Sequence, residues 1–324
     1  MAKGHRPGKK GKGFDKNKAT KGKLLQVGKV KEVYATEDPE VLEFFFTDKI
    51  SVFDKVIPSL IPDKGETLCR TSAHWFEKAK DAGVMSHFIK LVAGNRMRVK
   101  KVAVIRDYGK INTKTTNYLI PLEAICRYFL AGSLHDRVKT GKLKAEELGF
   151  RAGHQPKYGE RLPEPHFEVT TKLETVDRKI TVDEALRIAG LVKEEFEGLR
   201  KAVLKVDDLI AREVEKRGLL HADGKKEFAF DKDRNLMLID TFGTADEDRF
   251  WDKAIWEEKG ECIELSKEFV RKYYRGIGYV DKLEAARAAG KEEPPIPGLE
   301  AGFIKQVQKV YIDLFERITG QKFR

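Results

Sequence analysis

The sequence predicts a globular protein of mixed α and β structure, and three observations support this prediction. Short apolar runs bounded by turn residues, as at 24–35 and 41–48, are typical of β-strands. Other segments repeat apolar residues at every third or fourth position, which is the spacing of amphipathic helices. The chain has 324 residues, of which 41% are hydrophobic and 35% are charged, enough for one large or two ordinary domains with a substantial core.

Strands are predicted first along the chain. The run "LLQVGKVKEVYA" predicts a hairpin in which Gly28 permits close approach of the backbone, with Lys29 and Lys31 on one face. Two such lysines suit phosphate groups, and solvated strand lysines are the alternative. The runs "MRVKKVAVI" and "NYLIPLEAIC" predict two more strands, joined as a long hairpin by the polar connection "RDYGKINTKT".

Helices are predicted in the middle and at the end of the chain. Residues 65–83 have helical spacing and stop at a glycine, whereas Pro and Gly in 134–172 argue against long regular elements. A capping box at 181–184 opens a helix that Gly190 interrupts, and Gly218 follows the next helix as its cap. The core positions of that helix and of the last helix are Phe196, Leu199, Val203, Val206, Ile210, Val214, and Ile304, Val307, Tyr311, Leu314, Ile318.

The N-terminal residues 1–23 differ from the rest in composition. They carry nine Lys or Arg and one Asp, so +8 of the net charge of +11 lies there. Abundant Gly and Lys with few apolar residues predict a disordered basic tail. A solvated extension and loose attraction to RNA or polyphosphate both remain open, but no motif predicts a specific nucleic-acid partner.

Composition also bounds the compartment. No apolar run approaches the ~18–20 residues of a membrane span, and no apolar signal core follows the basic start, so we expect no membrane association and a cytoplasmic location. Cys69, Cys126 and Cys262 are odd in number and widely spaced, which predicts reduced thiols. Only five Asn and five Gln occur, a bias that favours a thermophilic source.

The stretch "DGKKEFAFDKDRNLMLID" predicts a hairpin that concentrates carboxylates. A four-residue loop at 232–235 would place Glu227 directly opposite Asp240, with Asp223 and Lys225 on the same face as Glu227. Like charges facing each other destabilise a ladder by ~0.2–1 kcal/mol. Mg²⁺ takes one or two carboxylates together with substrate phosphates, so the pair predicts a Mg²⁺ site, with a surface hairpin of unrelated charges as the alternative.

A second polar group interrupts the apolar run "IPLEAICRYFLAGS". Glu123 and Arg127 are costly in such a run unless they are paired or bind a ligand, and the sequence at 131–133 offers backbone amides and a hydroxyl. An arginine beside such a turn suits a phosphate or carboxylate, and a buried structural ion pair is the alternative. Further along, "TADEDRFWD" adds Asp246 and Arg249 just after the hairpin.

These motifs together resemble the SAICAR synthetase family. "IPLEAICRYFLAGS" matches its pattern E-x-[IV]-x-R-x-x-x-[AT]-G-S at every fixed position. "GKVKEVY", "TDKISVFD", "IPDKGETL" and "LPEPHFEVTTKLE" are similar to successive blocks of the family. "DGKKEFAF" and "DTFGTADEDRFW" resemble its D-x-K-x-E-F-G strand and its D-E-x-x-T-P-D-x-S-R-[FL]-W segment, and the likeness runs in order over 24–271.

The resemblance implies an ATP-grasp-like α+β fold of two lobes, with antiparallel sheets flanked by helices. Residues 24–126 would form a lobe that covers the nucleotide, and 127–324 would hold the metal hairpin and the substrate site. The implied reaction joins L-aspartate to carboxyaminoimidazole ribonucleotide (CAIR), with ATP and Mg²⁺, and releases ADP and phosphate. A homo-oligomer is also compatible with the resemblance.

On the matching positions, the resemblance implies three groups of site residues. ATP and Mg²⁺ would be held by Lys29, Lys31, Lys172, Glu227 and Asp240, of which Glu227 and Asp240 are the metal ligands. The ribonucleotide and aspartate would be bound by Arg127, Ser133, Asp177, Asp246, Arg249 and Arg271. Catalysis would depend on Lys225, Arg127, Asp223 and Arg249.

Four positions depart from the family pattern. Thr241 replaces a glutamate, Val176 a histidine, Ala229 a glycine and Ala245 a proline. These departures leave two alternatives to the implied activity: a divergent ATP-dependent ligase for another carboxylate or amine, and an inert RNA-associated paralogue.

Overall fold

The computed structural model describes residues 22–324 and contains two five-stranded antiparallel sheets and one separate hairpin. The first sheet has the order β1 (Leu24–Val27), β2 (Lys31–Ala35), β3 (Val41–Phe46), β7 (Arg96–Lys100), β6 (Phe88–Ala93). The second has the order β11 (Leu236–Ile239), β10 (Leu219–Phe230), β8 (Tyr118–Phe129), β9 (Arg161–Thr171), and β12 (Asp248–Asp252) also pairs with β10. The hairpin consists of β4 (Lys49–Val52) and β5 (Lys55–Leu60).

Helices pack around these sheets. The α-helices of the described residues are α1 (Lys64–Asp81), α2 (Gly132–Lys139), α3 (Val182–Ala189), α4 (Lys193–Glu215), α5 (Lys253–Lys259), α6 (Glu268–Gly276), α7 (Tyr279–Ala288) and α8 (Ala301–Thr319). The predicted α+β class with antiparallel sheets is therefore confirmed. Residues 1–21, which make up most of the predicted basic tail, lie outside the described part of the chain.

The helix predictions hold closely. Gly83 follows α1 with φ of 77°, and all six predicted apolar positions of α4 are buried. The Thr181 side chain accepts a hydrogen bond from the Glu184 backbone N–H, which is half of the predicted capping box. The other half is missing, because the Glu184 carboxylate pairs with Arg178 instead.

The predicted hairpin that joins the strands before and after "RDYGKINTKT" is wrong. Strand β7 pairs with β3 and β6 in the first sheet, whereas β8 pairs with β9 and β10 in the second, so the connection crosses between sheets. Strand β8 is an inner strand whose first seven residues are all buried, as expected when both faces are covered. It also runs past residue 126 unbroken, and the division into lobes at that position stays a prediction.

The segment at 134–172 is more regular than its composition predicts. It contains most of α2 and the eleven-residue strand β9. Strand β9 lies at the edge of its sheet, where Pro163 and Pro165 do not cost ladder hydrogen bonds. The prolines are therefore incompatible with a central strand at this position but compatible with an edge strand.

The carboxylate hairpin forms, but its register differs by one residue from the prediction. Glu227 pairs with Ile239, and the Asp231 backbone N–H donates to the Asn235 carbonyl over 3.0 Å, so the loop has three residues. Arg234 ends this loop with φ of 60°, the left-handed conformation typical of three-residue hairpin loops. Asp240 consequently lies one position beyond the residue that faces Glu227.

One apolar core extends across both sheets. It includes Phe44 of the first sheet, Tyr118 and Phe228 of the second, and Trp75 of α1 and Tyr311 of α8 between them. The cysteines are unpaired, as predicted. None of the helices between residues 22 and 324 is both long and apolar enough to cross a membrane.

Candidate active site

Two connected clefts lie between the sheets, and Lys31 and Asp240 line both of them. The larger cleft has a volume of about 560 Å³ and both apolar and charged side chains line it. The apolar lining consists of Val33, Leu42, Phe44, Val102, Val104, Leu119, Leu173 and Ile239. Lys172 and Glu227 line it together with Lys31 and Asp240. The smaller cleft, of about 170 Å³, continues along Gly28 and Lys29.

Two lysines hold the predicted metal carboxylates. Lys31 of β2 donates a short hydrogen bond to Asp240, and Lys172, just after β9, donates one to Glu227. Asp240 has a left-handed φ of 60°, which ends β11 and turns its side chain out of the ladder. The predicted convergence of the two carboxylates therefore occurs through this backbone turn and not through the predicted register.

The two carboxylates are not electrostatically equivalent. Burial and the negative charge of Asp240 raise the pKa of Glu227 well above its ordinary value. Burial also acts on Asp240, but the charges of Lys31 and Lys172 outweigh it and hold the pKa of Asp240 below its ordinary value. Burial and Asp240 thus disfavour the ionised form of Glu227, and a nearby cation would favour it. Two carboxylates, one on β10 and one just after β11, are ligands of the type that Mg²⁺ takes.

Glu123 is the carboxylate directly opposite Glu227, across the ladder between β8 and β10. Its Oε1 accepts from Lys225 Nζ at 2.9 Å and lies 3.6 Å from Lys172 Nζ. Lys225 Nζ also lies 3.2 Å from Glu247 Oε2, and these carboxylates raise the pKa of Lys225 although burial opposes the shift. Lys225 therefore stays charged, between Glu123 on β8 and Glu247 in the loop after β11.

A second charged group surrounds Asp223 near the start of α2. Arg127 Nη1 donates to Asp223 Oδ2 at 2.9 Å, and Arg249 donates a short hydrogen bond to the same oxygen. Arg127 Nη2 also lies 3.2 Å from Ser133 Oγ. A Cβ on Gly132 would lie 2.9 Å from Arg249 Nη2, so the missing side chain admits the guanidinium to the helix N-terminus. Two guanidinium groups beside a helix N-terminus are of the kind that bind anions, and we call this group the candidate anion site.

Arg127 is oriented from behind by Glu168 on β9. Arg127 Nε donates to Glu168 Oε1 at 3.0 Å, and Arg137 Nη2 donates to Oε2 at 2.7 Å. Burial would raise the pKa of Glu168, but His166 and these arginines hold it well below the ordinary range. Arg127 thus takes part in buried ion pairs, the alternative given for it above, with Glu168 and Asp223 as partners, and part of its guanidinium also contacts Ser133.

Asp246 lies deeper than the other predicted residues. Lys64 Nζ donates to its Oδ2 at 2.9 Å, Tyr311 Oη donates to Oδ1 at 2.6 Å, and Lys267 Nζ lies 3.6 Å away. Its side chain is only 4% exposed, although the residue lines the smaller cleft. A role in binding aspartate or the imidazole stays a prediction for Asp246.

Three predicted residues lie at the periphery. Lys29 is half-exposed and pairs with Asp54 at 2.6 Å. Arg271 Nη1 donates to Glu268 Oε2 at 3.0 Å, and Glu268 in turn lies 3.8 Å from Arg249. Asp177 is exposed as a whole residue, but its carboxyl group is partly shielded from water. This partial desolvation, together with the charge of Glu123, raises the pKa of Asp177.

The four departures from the family pattern have different surroundings. Thr241 lines the smaller cleft beside Asp240, whereas Val176 is 75% exposed. Ala229 and Ala245 are buried in apolar clusters. Of these four positions, Thr241 is therefore the one whose side chain could contact a ligand in the cleft.

Sequence reasoning missed several residues of the site. Glu247, Lys64 and Tyr311 are among them, since their contacts come from distant parts of the chain. Glu123 was noticed as a charge in an apolar run, but its place opposite Glu227 follows only from the pairing of β8 with β10. The sequence did give one indication for Lys64, because this lysine lies in "IPDKGETL", a block that is similar to the family.

The two-sheet α+β fold, with lysines and arginines clustered around carboxylates between the sheets, is the arrangement expected of an enzyme that binds anionic substrates. A family model described as SAICAR synthetase matches residues 24–286. Relatives named phosphoribosylaminoimidazole-succinocarboxamide synthase, from Thermoplasma volcanium and Thermoplasma acidophilum, are 52% and 49% identical to the chain over 301 residues. Each match covers 93% of this chain and 100% of the relative.

Two solved structures have the same fold at 24% identity. One is a SAICAR synthetase (Type-2) in complex with ADP, with a TM-score of 0.65 over 93% of this chain and 100% of that chain. The other is the SAICAR synthase of Saccharomyces cerevisiae complexed with SAICAR, with a TM-score of 0.70 over 93% and 96%. The chain belongs to the SAICAR synthetase family. It is a ligase of purine biosynthesis with the activity that the names of these relatives give.

Proposed function

We propose that the chain uses ATP and Mg²⁺ to join L-aspartate to the carboxylate of CAIR through an acyl phosphate. The observation that carries this proposal is the position of Lys225, between the Glu227 and Asp240 pair and the Arg127 and Arg249 anion site. The relatives with an ADP complex and a SAICAR complex support a nucleotide and a ribonucleotide as ligands.

The order of bond changes follows from the chemistry of the substrates. A resonance-stabilised carboxylate is a poor electrophile, so its oxygen first attacks the γ-phosphorus of ATP and ADP leaves. The aspartate amine then attacks the carbonyl carbon, the bond to the phosphate oxygen breaks, and the amine loses a proton. Phosphoryl transfer of this kind depends on positioning and charge stabilisation, and no covalent protein nucleophile is required.

The larger cleft is proposed to hold ATP. Its apolar lining suits the adenine ring, and Lys31 and Lys172 in this cleft and Lys29 in the smaller one would contact the phosphates. Glu227 and Asp240 would hold Mg²⁺, which when bound offsets the negative charge of the phosphates. When ATP phosphates approach, Lys31 and Lys172 can exchange their present carboxylate partners for phosphate oxygens.

The anion site at the start of α2 is proposed to hold the ribonucleotide. Arg127, Arg249 and Ser133 would donate hydrogen bonds to its phosphate or carboxylate, while Asp223 keeps both guanidinium groups in place. Lys225 would then stabilise the negative charge that develops as the phosphoryl group is transferred. Asp177, Asp246 and Arg271 are proposed, from the family pattern, to border the aspartate or imidazole side.

Replacing Arg127 with lysine tests the proposed ribonucleotide contact. The change keeps the positive charge but loses the planar fork that contacts Asp223, Glu168 and Ser133 together. We expect the KM for CAIR to rise by roughly ten-fold or more, while the KM for ATP changes little. Steady-state kinetics with each substrate varied in turn measures this, and equal changes in both KM values would contradict the assignment.

The function itself is tested by reconstitution. Purified protein is supplied with ATP, Mg²⁺, L-aspartate and CAIR, and phosphate release and product are followed while each component is omitted in turn. Product that forms only with all four supports the proposal. Phosphate release that persists with another carboxylate or amine in place of CAIR or aspartate would indicate the divergent ligase, and no turnover at all would favour the inert paralogue.

The remaining expectations also stay proposals. These are a cytoplasmic location, a thermophilic source, a homo-oligomeric assembly and the absence of a specific nucleic-acid partner. The lobe at 24–126 is proposed to cover the nucleotide, since Lys31 and most of the apolar lining of the larger cleft lie in it.

A further inference from the structure

The core-facing side of β10 carries a lysine that the proposed mechanism does not use. Lys226 follows Lys225 but points to the opposite face, where its Nζ donates to Asp207 Oδ1 at 2.6 Å and to Asp248 Oδ2 at 2.8 Å. His221 Nε2 lies 2.7 Å from the same Asp248 oxygen. All four side chains are completely buried.

This ammonium group supplies a positive charge next to three side chains that could together hold a cation. One ligand atom each from Asp207, His221 and Asp248 lies within 4.8 Å of the others, which is close enough to hold a cation. Lys226 Nζ is bonded to both carboxylates and supplies that charge from within the chain. A Cβ on Gly224 would lie 1.9 Å from Asp248 Oδ2 and 2.6 Å from Lys226 Nζ, so the glycine admits the cluster.

Asp248 connects this cluster to the active site. Its Oδ1 accepts from the Gly243 backbone N–H at 2.8 Å, and its own N–H donates to the Thr244 carbonyl at 2.9 Å. Both contacts close the turn that follows β11. The residues on either side of Asp248 are Glu247, which contacts Lys225, and Arg249, which contacts Asp223.

A buried ion cluster is weak evidence for a role in stability alone, because replacing such a cluster with well-packed apolar residues of similar volume is often neutral or stabilising. We propose that Lys226 is a positioning residue, which acts through Asp248 to hold the 241–249 segment so that Glu247 and Arg249 meet Lys225 and Asp223. Asp207 anchors the ammonium group from α4, and its Oδ1 also lies 3.6 Å from His221 Nε2. Of the two measurements described next, only the KM for CAIR depends on the proposed function.

The test compares variants that affect the contact of Lys226 with Asp248 with a variant that affects its contact with Asp207. Lys226→Met removes the ammonium group that donates to Asp248. Asp248→Asn removes the charge of Asp248 and leaves one acceptor oxygen where two now serve Lys226, His221 and the Gly243 N–H, so both variants weaken the link between Lys226 and the 241–249 segment. Asp207→Asn removes a charge from the same cluster and keeps that link. We expect the first two to raise the KM for CAIR by roughly ten-fold or more, since small displacements of binding groups have effects of this size or larger. Asp207→Asn should leave the KM for CAIR within about two-fold of wild type, because the Lys226–Asp248 contact remains.

Amide hydrogen exchange gives a readout that does not depend on activity. In Lys226→Met and Asp248→Asn, exchange should accelerate at 241–249, including the Gly243 amide that Asp248 protects, more than elsewhere in β10 and α4. In Asp207→Asn, any acceleration should follow the global loss of stability and not favour that segment. If Lys226→Met does not fold, Asp248→Asn decides the question.

The proposal is overturned if Lys226→Met or Asp248→Asn matches Asp207→Asn in both the KM for CAIR and the exchange at 241–249. Faster local exchange without a change in the KM for CAIR would also overturn it, since the segment would move without effect on the site. A wild-type protein that does not use CAIR would refute the proposed function instead, and the exchange pattern would still test the role of Lys226.

Discussion

Replacing Asp240 with asparagine is expected to lower kcat by about 10²–10³-fold, as is typical when one preorganised charge-stabilising group is lost at a reacting centre. The amide keeps the size of the side chain but removes a negative charge proposed to hold Mg²⁺. It also removes the negative charge that pairs with Lys31, which donates a hydrogen bond to Asp240 in the wild-type protein. The measurement is kcat at saturating substrates over a range of Mg²⁺ concentrations.

Thermal unfolding gives an independent check on the metal site. Wild-type protein should gain melting temperature when Mg²⁺ and ATP are added together, by ligand linkage, and Asp240→Asn should gain much less. The assignment of Asp240 as a metal ligand fails if the variant turns over normally. It also fails if the variant is stabilised by Mg²⁺ and ATP as much as wild type is.

Glu227→Gln is the matched variant, and its stability should change in the opposite direction. Burial and the charge of Asp240 raise the pKa of Glu227, so ionisation of Glu227 destabilises the folded protein. For Asp240, the charges of Lys31 and Lys172 outweigh burial and lower the pKa, so ionisation of Asp240 stabilises the folded protein. In metal-free protein near neutral pH, Glu227→Gln should therefore raise the melting temperature, and Asp240→Asn should lower it. Both variants should lose turnover.

The pH dependence of the Glu227→Gln gain follows from the same shift. Below the ordinary carboxyl pKa of 4.5, Glu227 is protonated in both the folded and the unfolded chain, and the variant should gain nothing. As the pH rises from there towards the folded-state pKa, the unfolded chain releases its proton first, so wild type loses stability that the variant keeps. Melting curves in a metal chelator between about pH 4 and pH 8 measure this, and a gain that shrinks as the pH rises would contradict it.

Replacing Arg249 with methionine is expected to lower kcat/KM for CAIR by roughly 10²-fold, because hydrogen bonds to charged groups contribute ~1.5–3 kcal/mol. Arg249 shares Asp223 with Arg127 and lies against Gly132 at the start of α2. Its loss removes one of the two guanidinium groups of the proposed anion site and leaves Asp223 with Arg127 alone. The KM for ATP should change much less, because no contact links Arg249 to Lys31 or Asp240.

Arg275→Met is the control for this variant. Arg275 donates to Glu268, the same carboxylate that Arg249 approaches at 3.8 Å, but it is half-exposed and makes no contact with Asp223. The control should retain kcat/KM for CAIR within about two-fold, as expected for an exposed ion pair. Equal losses in the two variants would indicate that Glu268, and not the anion site, determines the effect of Arg249.

The sequence and the structure agree best where a prediction needs only local information. The ends of α1 and the buried face of α4 follow from apolar spacing and a terminal glycine, which act within a few residues. Strand β9 was not predicted, because proline was taken to exclude any strand. Proline excludes a strand only where a neighbouring strand would need the backbone N–H that proline lacks, and the sequence alone does not show on which side of β9 a neighbour lies.

The amino-acid sequence by itself determined the family, the two groups of charges and the identity of the two carboxylates at the hairpin. Only the tertiary structure decided how they meet. Arg234 in the left-handed conformation shortens the hairpin loop and shifts the register by one residue, so that Ile239, and not Asp240, faces Glu227 on one side, while Glu123 faces it on the other. Loop conformation and strand pairing set a register, and neither is encoded in the residue types of one strand alone.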